Sequence, residues 1–502
     1  MNNSLEKKGN PDEKKRNPIL KKKVFRIQVT LISPLSISSG REGETDSDVI
    51  CDYDGRPFVP ASSLAGAMRA YLKKDKDEPC LMGYSKDDEN GKMSALFLSD
   101  MIFDDIPDTS VRDGVELNEK KTTVEGSKFD MEIIEAGTRA TFYAEITIRE
   151  DDTGIDTETN KPYDREAEYD RDIAAIIKGL NSGEIRLGSK KTRGFGRFKV
   201  DCINCREFDK SNYIEYAKVY RDKMIDENQE QNDRKHENQN KINLEGQGSE
   251  RRKKENHDCA GDVWIDCMNL LEDEKWIALP DKEKHYFHLD VPLRLKGGIS
   301  IRQYASRIDE PDFVHITNKD GKAVIPGSSF AGAIRHRLKD ILTELKGQES
   351  KIDVKAVLDD MFGYVEKEMA HVSAVVISES EIEGAEALTM TRTGISRFES
   401  AARDKALFTE KTYVGGTLTL NILIEKDGQD NPGKEKRTLG LILLAVEDIR
   451  NGYLAVGGGT AVGRGIFEAN GNVRLDEKEL NIKDVNEAIG EAFLPFTGGV
   501  NI

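Results

Sequence analysis

The chain has 502 residues, with 75 Lys and Arg against 92 Asp and Glu, a formal net charge of −17. That length exceeds one ordinary core and suits two or three domains, and 37% hydrophobic beside 33% charged residues supplies those cores while excluding a chain built of membrane spans. The acidic total weighs against a nucleic-acid partner, but charge acts over about 10 Å at 0.1 M salt, so a basic groove can exist on an acidic molecule.

Residues 1–22 form a basic tail without the apolar run of a signal peptide. Six thinly spread cysteines point to a reducing, cytoplasmic setting. A first domain is expected over 23–206. Its opening stretch "FRIQVTLISPLSISSG" (25–40) alternates apolar and polar residues as a half-buried strand does. A polar loop and the turn pair Asp54-Gly55 lead into "VPASSLAGAMRAYL" (59–72), a helix with Ser62 and Ser63 placed as its N-cap. A short helix end, loop and strand follow over 81–103, then a strand over 137–148. Residues 172–200 give a helix, a glycine-rich turn and a strand.

The same blocks then recur in the same order. "IPGSSFAGAIRHRL" (325–338) repeats the helix phrase, with seven of ten residues identical between Pro60–Arg69 and Pro326–Arg335. Around it stand counterparts at 286–301, 361–382, 415–425 and 441–469, so a second strand-helix-strand-strand-helix-strand domain spans 284–475. A linker is expected over 207–283, because 225–257 holds Ile225, Ile242 and Leu244 as its large aliphatic residues and cannot offset its ordering entropy. Residues 476–502 remain as a C-terminal tail.

Two features suit phosphate. The helix N-terminus at Ser62, Ser63 and at Ser328, Ser329 offers free N–H groups, with Arg69 and Arg335 two turns further on. The turns "LGSKKTRGFGRF" (187–198) and "VGGGTAVGRGIF" (456–467) align without gaps, pairing Gly194 with Gly463 and Gly196 with Gly465. Glycine there permits close approach, while Lys190, Lys191, Arg193, Arg197 and Arg464 would meet phosphates. Neither turn is a Walker loop or a dinucleotide fingerprint. Cys202, Cys205, Cys259 and Cys267, with His257 nearby, offer a zinc set of irregular spacing, against a default of incidental thiols.

In each half a strand pair and acidic loop precede [Val/Ile]-Pro-[Ala/Gly]-Ser-Ser-[Leu/Phe]-Ala-Gly, a Gly-Tyr pair before a short strand, and a glycine-rich turn. This ordered set resembles the RAMP superfamily of CRISPR systems, specifically the crRNA-binding backbone subunit of type III effector complexes, over roughly 25–205 and 285–470. The resemblance implies an α+β chain of two tandem ferredoxin-like, RRM-related domains. It implies guide crRNA, complementary target RNA, and other RAMP and large subunits as partners, with no membrane. It also implies an aspartate ahead of each Pro-x-Ser-Ser helix that cleaves target RNA. The pattern Asp-Ser-x-Val-Ile-x-Asp matches "DSDVICD" and selects Asp46; in the second copy gap-free counting from the proline selects Asp312, whereas Ile-Asp-x-Pro selects Asp309, and both stay open.

Such an aspartate would hold Mg²⁺ or Mn²⁺ while the RNA's own 2′-hydroxyl attacks the neighbouring phosphorus. The resemblance further implies thumb-like loops at 110–129 and 388–408, with Arg112, Lys120 and Lys121, and with Arg392, Arg397 and Lys405, reaching phosphates; by composition the second stretch also suits a surface helix. Two other readings stand beside nuclease activity: a non-catalytic RNA-binding filament subunit, and a RAMP enzyme that processes precursor guide RNA, which the lack of a convincing histidine site disfavours. No Gly-Gly-Asp-Asp run marks the large signalling subunit.

Overall fold

The computed structural model describes residues 17–40, 45–74, 80–85, 91–115, 118, 122–155, 162–217, 269–273, 276, 285–304, 311–345, 353–366, 369–426, 433–494 and 496. The first copy comprises β1 (Ile19–Leu31), α1 (Ala61–Leu72), β2 (Leu96–Leu98), β3 (Thr109–Gly114), β4 (Phe129–Ile134), β5 (Arg139–Arg149), α2 (Arg165–Ser182) and β6 (Phe198–Phe208). The second comprises β7 (Tyr286–Lys296), α3 (Gly327–Leu345), α4 (Val354–Phe362), β8 (Val375–Ile377), β9 (Glu386–Ile395), β10 (Ala402–Val414), β11 (Thr417–Glu425), α5 (Lys434–Arg450), β12 (Ile466–Ala469) and α6 (Ile482–Phe493).

Strand periodicity builds each sheet. On β1, Phe25, Ile27, Val29 and Leu31 are buried and alternate with Arg26, Gln28 and Thr30, so one face is covered. The first sheet runs β6-β1-β5-β2 and the second β12-β7-β11-β8, every pair antiparallel. Helix α1 buries Leu64, Met68, Tyr71 and Leu72, a single 3.6-residue stripe, and its counterpart α3 buries Phe330, Ile334, Leu338 and Leu342. Among the described residues the two large apolar cores are separate, one in each copy.

Three expected boundaries move. Lys21, Lys22 and Lys23, at the junction of the expected tail and domain, lie on β1 and pair with Glu166, Glu145 and Asp170, because facing carboxylates neutralise them in the sheet. Residues 269–273 lie in the expected linker, yet Leu270, Leu271 and Trp276 pack on the first core; the stretch 218–268 falls outside the described residues. The expected C-terminal tail contains α6, whose Val485, Ala492 and Phe493 join the second core. Gly440 on α5 admits that approach, since a Cβ there would lie 2.2 Å from the Ala488 carbonyl oxygen.

The copies dock head to tail, the first copy's glycine turn against the second's α3 N-terminus. Residues 191–193 pack on β8. Gly194 sits at φ +98°, and a Cβ on it would come within 2.5 Å of the Glu379 nitrogen. Arg186, buried in the joint, donates from Nη2 to Ser378 Oγ at 2.9 Å. Burial, with Arg197 beside it, pushes the Arg186 guanidinium down to about 9. His288 meets Glu184 at 3.0 Å, and Arg112 lies 3.5 Å from both Glu135 of its own copy and Glu379 of the other.

Candidate nucleic-acid interface

The acidic loops occupy equivalent places. Asp46 accepts at Oδ2 from the Asp130 backbone N–H (2.9 Å), and its own N–H donates to Asp130 Oδ1 (2.9 Å). Asp312 accepts at Oδ2 from the Thr409 N–H at 2.8 Å. Asp130 and Thr409 are themselves counterparts on β4 and β10, two positions after Lys128 and Leu407 and one before the inward-facing Met131 and Glu410. Asp312 is thus the geometric equivalent of Asp46; Asp309 falls outside the described residues. Both carboxylates are exposed, and among the described residues Oδ1 of each is uncommitted. The two loops differ in one donor, since the second copy has Thr409 where the first adds the Asp130 carboxylate.

Each loop leads into a helix whose outward face is made of small residues. Ser62 and Gly66, like Ser328 and Gly332, are exposed, and a Cβ on either glycine would meet nothing within 4 Å. The N-cap expected at Ser62–Ser63 is instead Pro60, whose carbonyl accepts from the Ser63 N–H, and Asp100 Oδ1 receives the Ala61 N–H at 2.7 Å. The serines therefore occupy the first turn. Arg69 donates to the carbonyls of Met82 and Gly83 at 2.6 and 2.8 Å, and Arg335 to Asp359 at 2.6 Å. Both arginines brace the helix against the next segment, a contact that sequence spacing could not show.

The glycine turns diverge. Both form one 3₁₀ turn, Lys191–Arg193 and Thr460–Val462, and a Cβ at Gly196 or at Gly465 would lie 1.8 Å from the carbonyl oxygen of Leu187 or Val456. In the first copy Lys191 and Arg193 are exposed at the edge of the joint, whereas Lys190 and Arg197 are half-buried. Burial, reinforced by Arg193, lowers the Lys190 pKa, and its Nζ lies 4.4 Å over the Phe129 ring. In the second copy Arg464 is buried against Glu410 at 2.6 Å, where the first copy packs Phe195 on Met131. Burial alone would raise the Glu410 carboxyl, but Arg464 and Ser300 hold it below the usual range. Arg464 is in this way spent on a buried pair, which replaces an apolar contact at one position of the repeat.

Both thumb-like stretches are β-hairpins, β3–β4 and β9–β10, and the surface-helix alternative for 388–408 is overturned because β9 and β10 pair along most of their length. Arg112 is buried in the joint rather than at a tip. Arg397 is exposed and Arg392 half-buried; beside Arg397, Phe398 is fully exposed, a tip residue that apolar periodicity gave no reason to select. Lys120 and Lys121 fall outside the described residues. Between the copies lies a cleft of about 560 Å³, lined by Arg112, Gln303, His315, Lys319 and Lys411 and flanking the Asp312 loop at Pro311 and Val314.

His315 shows how tightly that loop is anchored. Its Nδ1 accepts from the Ile301 N–H at 2.9 Å and its Nε2 donates to the Val324 carbonyl at 3.1 Å. Burial lowers its pKa from 6.5 to about 4. The native ring stays neutral while the unfolded one takes a proton below pH 6.5, so its contribution is complete above that value and is lost as pH falls toward 4, about 3 kcal/mol in all. The ring resonances of His315 should accordingly not titrate between pH 7.5 and about 5, a proton-NMR measurement that a solvent-exposed histidine would fail.

Cys202 and Cys205 lie on β6 three residues apart, hence on opposite faces of the strand, which prevents both from joining one zinc ion. Cys205 packs on the first core; Cys259, Cys267 and His257 fall outside the described residues. Among the described residues no three His, Cys, Asp or Glu side chains form a metal-holding group, and no helix is long and apolar enough to cross a membrane.

No curated protein is significantly similar to the chain. The family model of the RAMP superfamily matches it twice, over 28–199 and 287–468, one match on each structural copy and together more than half of the chain. Members of that family are generally CRISPR-associated and typically bind RNA and other complex subunits. Two docked copies of one α+β domain, each spanned by that model, make the chain a tandem member of the RAMP superfamily.

Proposed function

We propose that the chain is a crRNA-binding backbone subunit of a type III CRISPR effector complex, cutting guide-paired target RNA at Asp46 and Asp312. The observation that carries this reading is the matched tether of two exposed aspartates to equivalent strands of two copies, one per repeat. We read each copy as a ferredoxin-like, RRM-related domain on the strength of its antiparallel sheet order and the two helices the copies share, α1 and α2 in the first and α3 and α5 in the second.

The donor set suits a hard divalent cation: Asp46, with Asp130 beside it, and Asp312 offer carboxylate oxygens. When bound, Mg²⁺ or Mn²⁺ would neutralise charge developing at the scissile phosphate. The protein's own part is positional. The Asp130 and Thr409 N–H groups orient one oxygen of each aspartate and leave the other toward solvent. The small-residue faces at Ser62–Gly66 and Ser328–Gly332 let a phosphodiester approach the N-terminal turn of each helix, where partial positive charge resides. Phe398 at the second hairpin tip can wedge between bases, with Arg392 and Arg397 near the backbone.

Lys191 and Arg193 supply the exposed cations of the first turn. Replacing both with alanine should weaken guide-RNA binding and lower the salt slope by roughly 1 to 2, as expected for one or two phosphate contacts. Measurement of affinity across a salt series checks this; an unchanged slope removes the turn from the RNA surface. The reading as a whole is tested by recovering the complex from cells and sequencing its RNA, which should be guide-length crRNA.

A further inference from the structure

The cleft of about 560 Å³ between the copies has walls that the repeat does not reproduce. The first copy supplies Asp108, Ser110, Arg112 and Glu135, around the base of the β3–β4 hairpin, and the second supplies Lys319 and Lys411. Alignment through Asp130 and Thr409 places Leu388, Met390 and Val414 of the second copy at the positions of Ser110, Arg112 and Glu135. Tyr53 and Glu132 of the first copy stand at the positions of Lys319 and Lys411. A surface that holds a regular RNA backbone at every repeat would carry its cations in both copies. Here each copy carries half of the set, and the halves meet at the internal joint, so the cleft suits an occupant bound once per chain.

Its charges are incompletely satisfied. Arg112 and Glu135 are each 4% exposed, and their mutual contact is an ion pair at 3.5 Å in which Arg112 Nη2 and Glu135 Oε2 make no hydrogen bond. Ser110 donates to Glu135 Oε1 at 2.6 Å, which leaves Oε2 as an open acceptor. Lys319 Nζ lies 3.6 Å from Asp108, whereas Lys411 pairs with no carboxylate among the described residues. Gln303 Nε2 reaches across to the Val111 carbonyl at 3.2 Å and fixes the two walls at a set distance.

A guanidinium edge without a hydrogen bond and an ammonium without a partner suit the oxygens of a phosphate group. The open Glu135 oxygen calls for a hydroxyl or amine on the same ligand, because a buried acceptor left unmade is costly. The volume exceeds that of a bare anion and falls in the range of small-molecule sites, about 300–1,000 Å³. We propose that the cleft binds one phosphorylated small molecule per chain, a nucleoside or sugar phosphate, whose phosphate meets Arg112 and Lys411 and whose hydroxyl donates to Glu135. Pro311 and Val314 line the same cleft on either side of Asp312, so an occupied cleft ties the second acidic loop to the first copy's hairpin. This inference rests on the cleft and not on the cleavage reading, and either can fail without the other.

The test is titration calorimetry of purified, RNA-free full-length protein with adenosine 5′-monophosphate, ribose 5-phosphate and inorganic phosphate. At least one of the two organic phosphates should saturate at one per chain and bind roughly tenfold or more tighter than inorganic phosphate, because the rest of the ligand is buried with it. Lys411→Glu and Lys319→Tyr, which install the residues the first copy has at these positions, should each weaken that binding at least about tenfold with circular dichroism matching wild type. Lys191→Ala, which removes a cation outside the cleft, should bind as wild type does. No saturable binding of either organic phosphate, more than one bound per chain, undiminished binding by both cleft variants, or an equal loss in Lys191→Ala overturns the proposal. A short single-stranded RNA that binds through Lys411 while neither organic phosphate binds assigns the cleft to RNA and overturns it as well.

Discussion

Asp46→Ala should erase one of the regularly spaced cuts in guide-paired target RNA while leaving target binding within about twofold, since on the proposed reading it removes an oxygen that holds the cation and spares the phosphate contacts. Asp312→Ala should erase a different, neighbouring cut. The geometry ranks the two sites: Asp130 adds a carboxylate beside Asp46, whereas Thr409 adds none beside Asp312. The cut assigned to Asp312 should therefore need more Mg²⁺ or Mn²⁺ for half-maximal rate, and Thr409→Asp should bring the requirement down toward that of the first site. Gel analysis of end-labelled target in the assembled complex reads each outcome. If the double variant keeps every cut, the chain is a scaffold and the nuclease lies in another subunit.

Arg112→Met should be the most disruptive single change at the joint. Arg112, Glu135 and Glu379 are each nearly inaccessible, and Glu379 has its pKa raised by burial, an effect Arg112 opposes and Glu135 adds to. Removing the cation leaves two buried carboxyls facing each other, a loss of about 3–5 kcal/mol from the docked state. The deficit should shrink as pH falls, because a carboxyl whose folded pKa is raised takes up a proton on folding and favours the folded state under acid conditions. Replacing all three with Met, Leu and Leu should recover most of the loss, since well-packed apolar groups commonly substitute for a buried ionic cluster. Denaturant unfolding at pH 8 and pH 5.5 measures both effects; a change within about 0.5 kcal/mol at pH 8 would mean that the triad does not hold the copies together.

The duplication was legible because helices and strands leave periodic marks. Leu64 and Met68, or Phe330 and Ile334, recur at helical spacing within a repeated phrase, and the alternation from Phe25 to Leu31 marks a strand without reference to anything distant. The hairpins β3–β4 and β9–β10 were not, since polar residues such as Thr389, Thr391 and Thr393 on a solvated ribbon carry no apolar period. For the same reason Phe398 at a tip gave no sign of itself.

That two similar domains follow one another, and that an aspartate precedes each Pro-x-Ser-Ser helix, is legible without coordinates because both are properties of local order along the chain. Sequence alone left Asp309 and Asp312 level, since counting along a loop says nothing of which carboxylate meets the facing strand. Tertiary structure adds that Asp312, like Asp46, accepts a backbone N–H from the facing strand, through one hydrogen bond across 97 positions. It also withdrew Arg112 and Arg464 from the surface, pairing the first with a carboxylate 267 positions away and the second with Glu410. A cation written in a sequence can serve RNA or a buried acid, and packing between distant segments determines which.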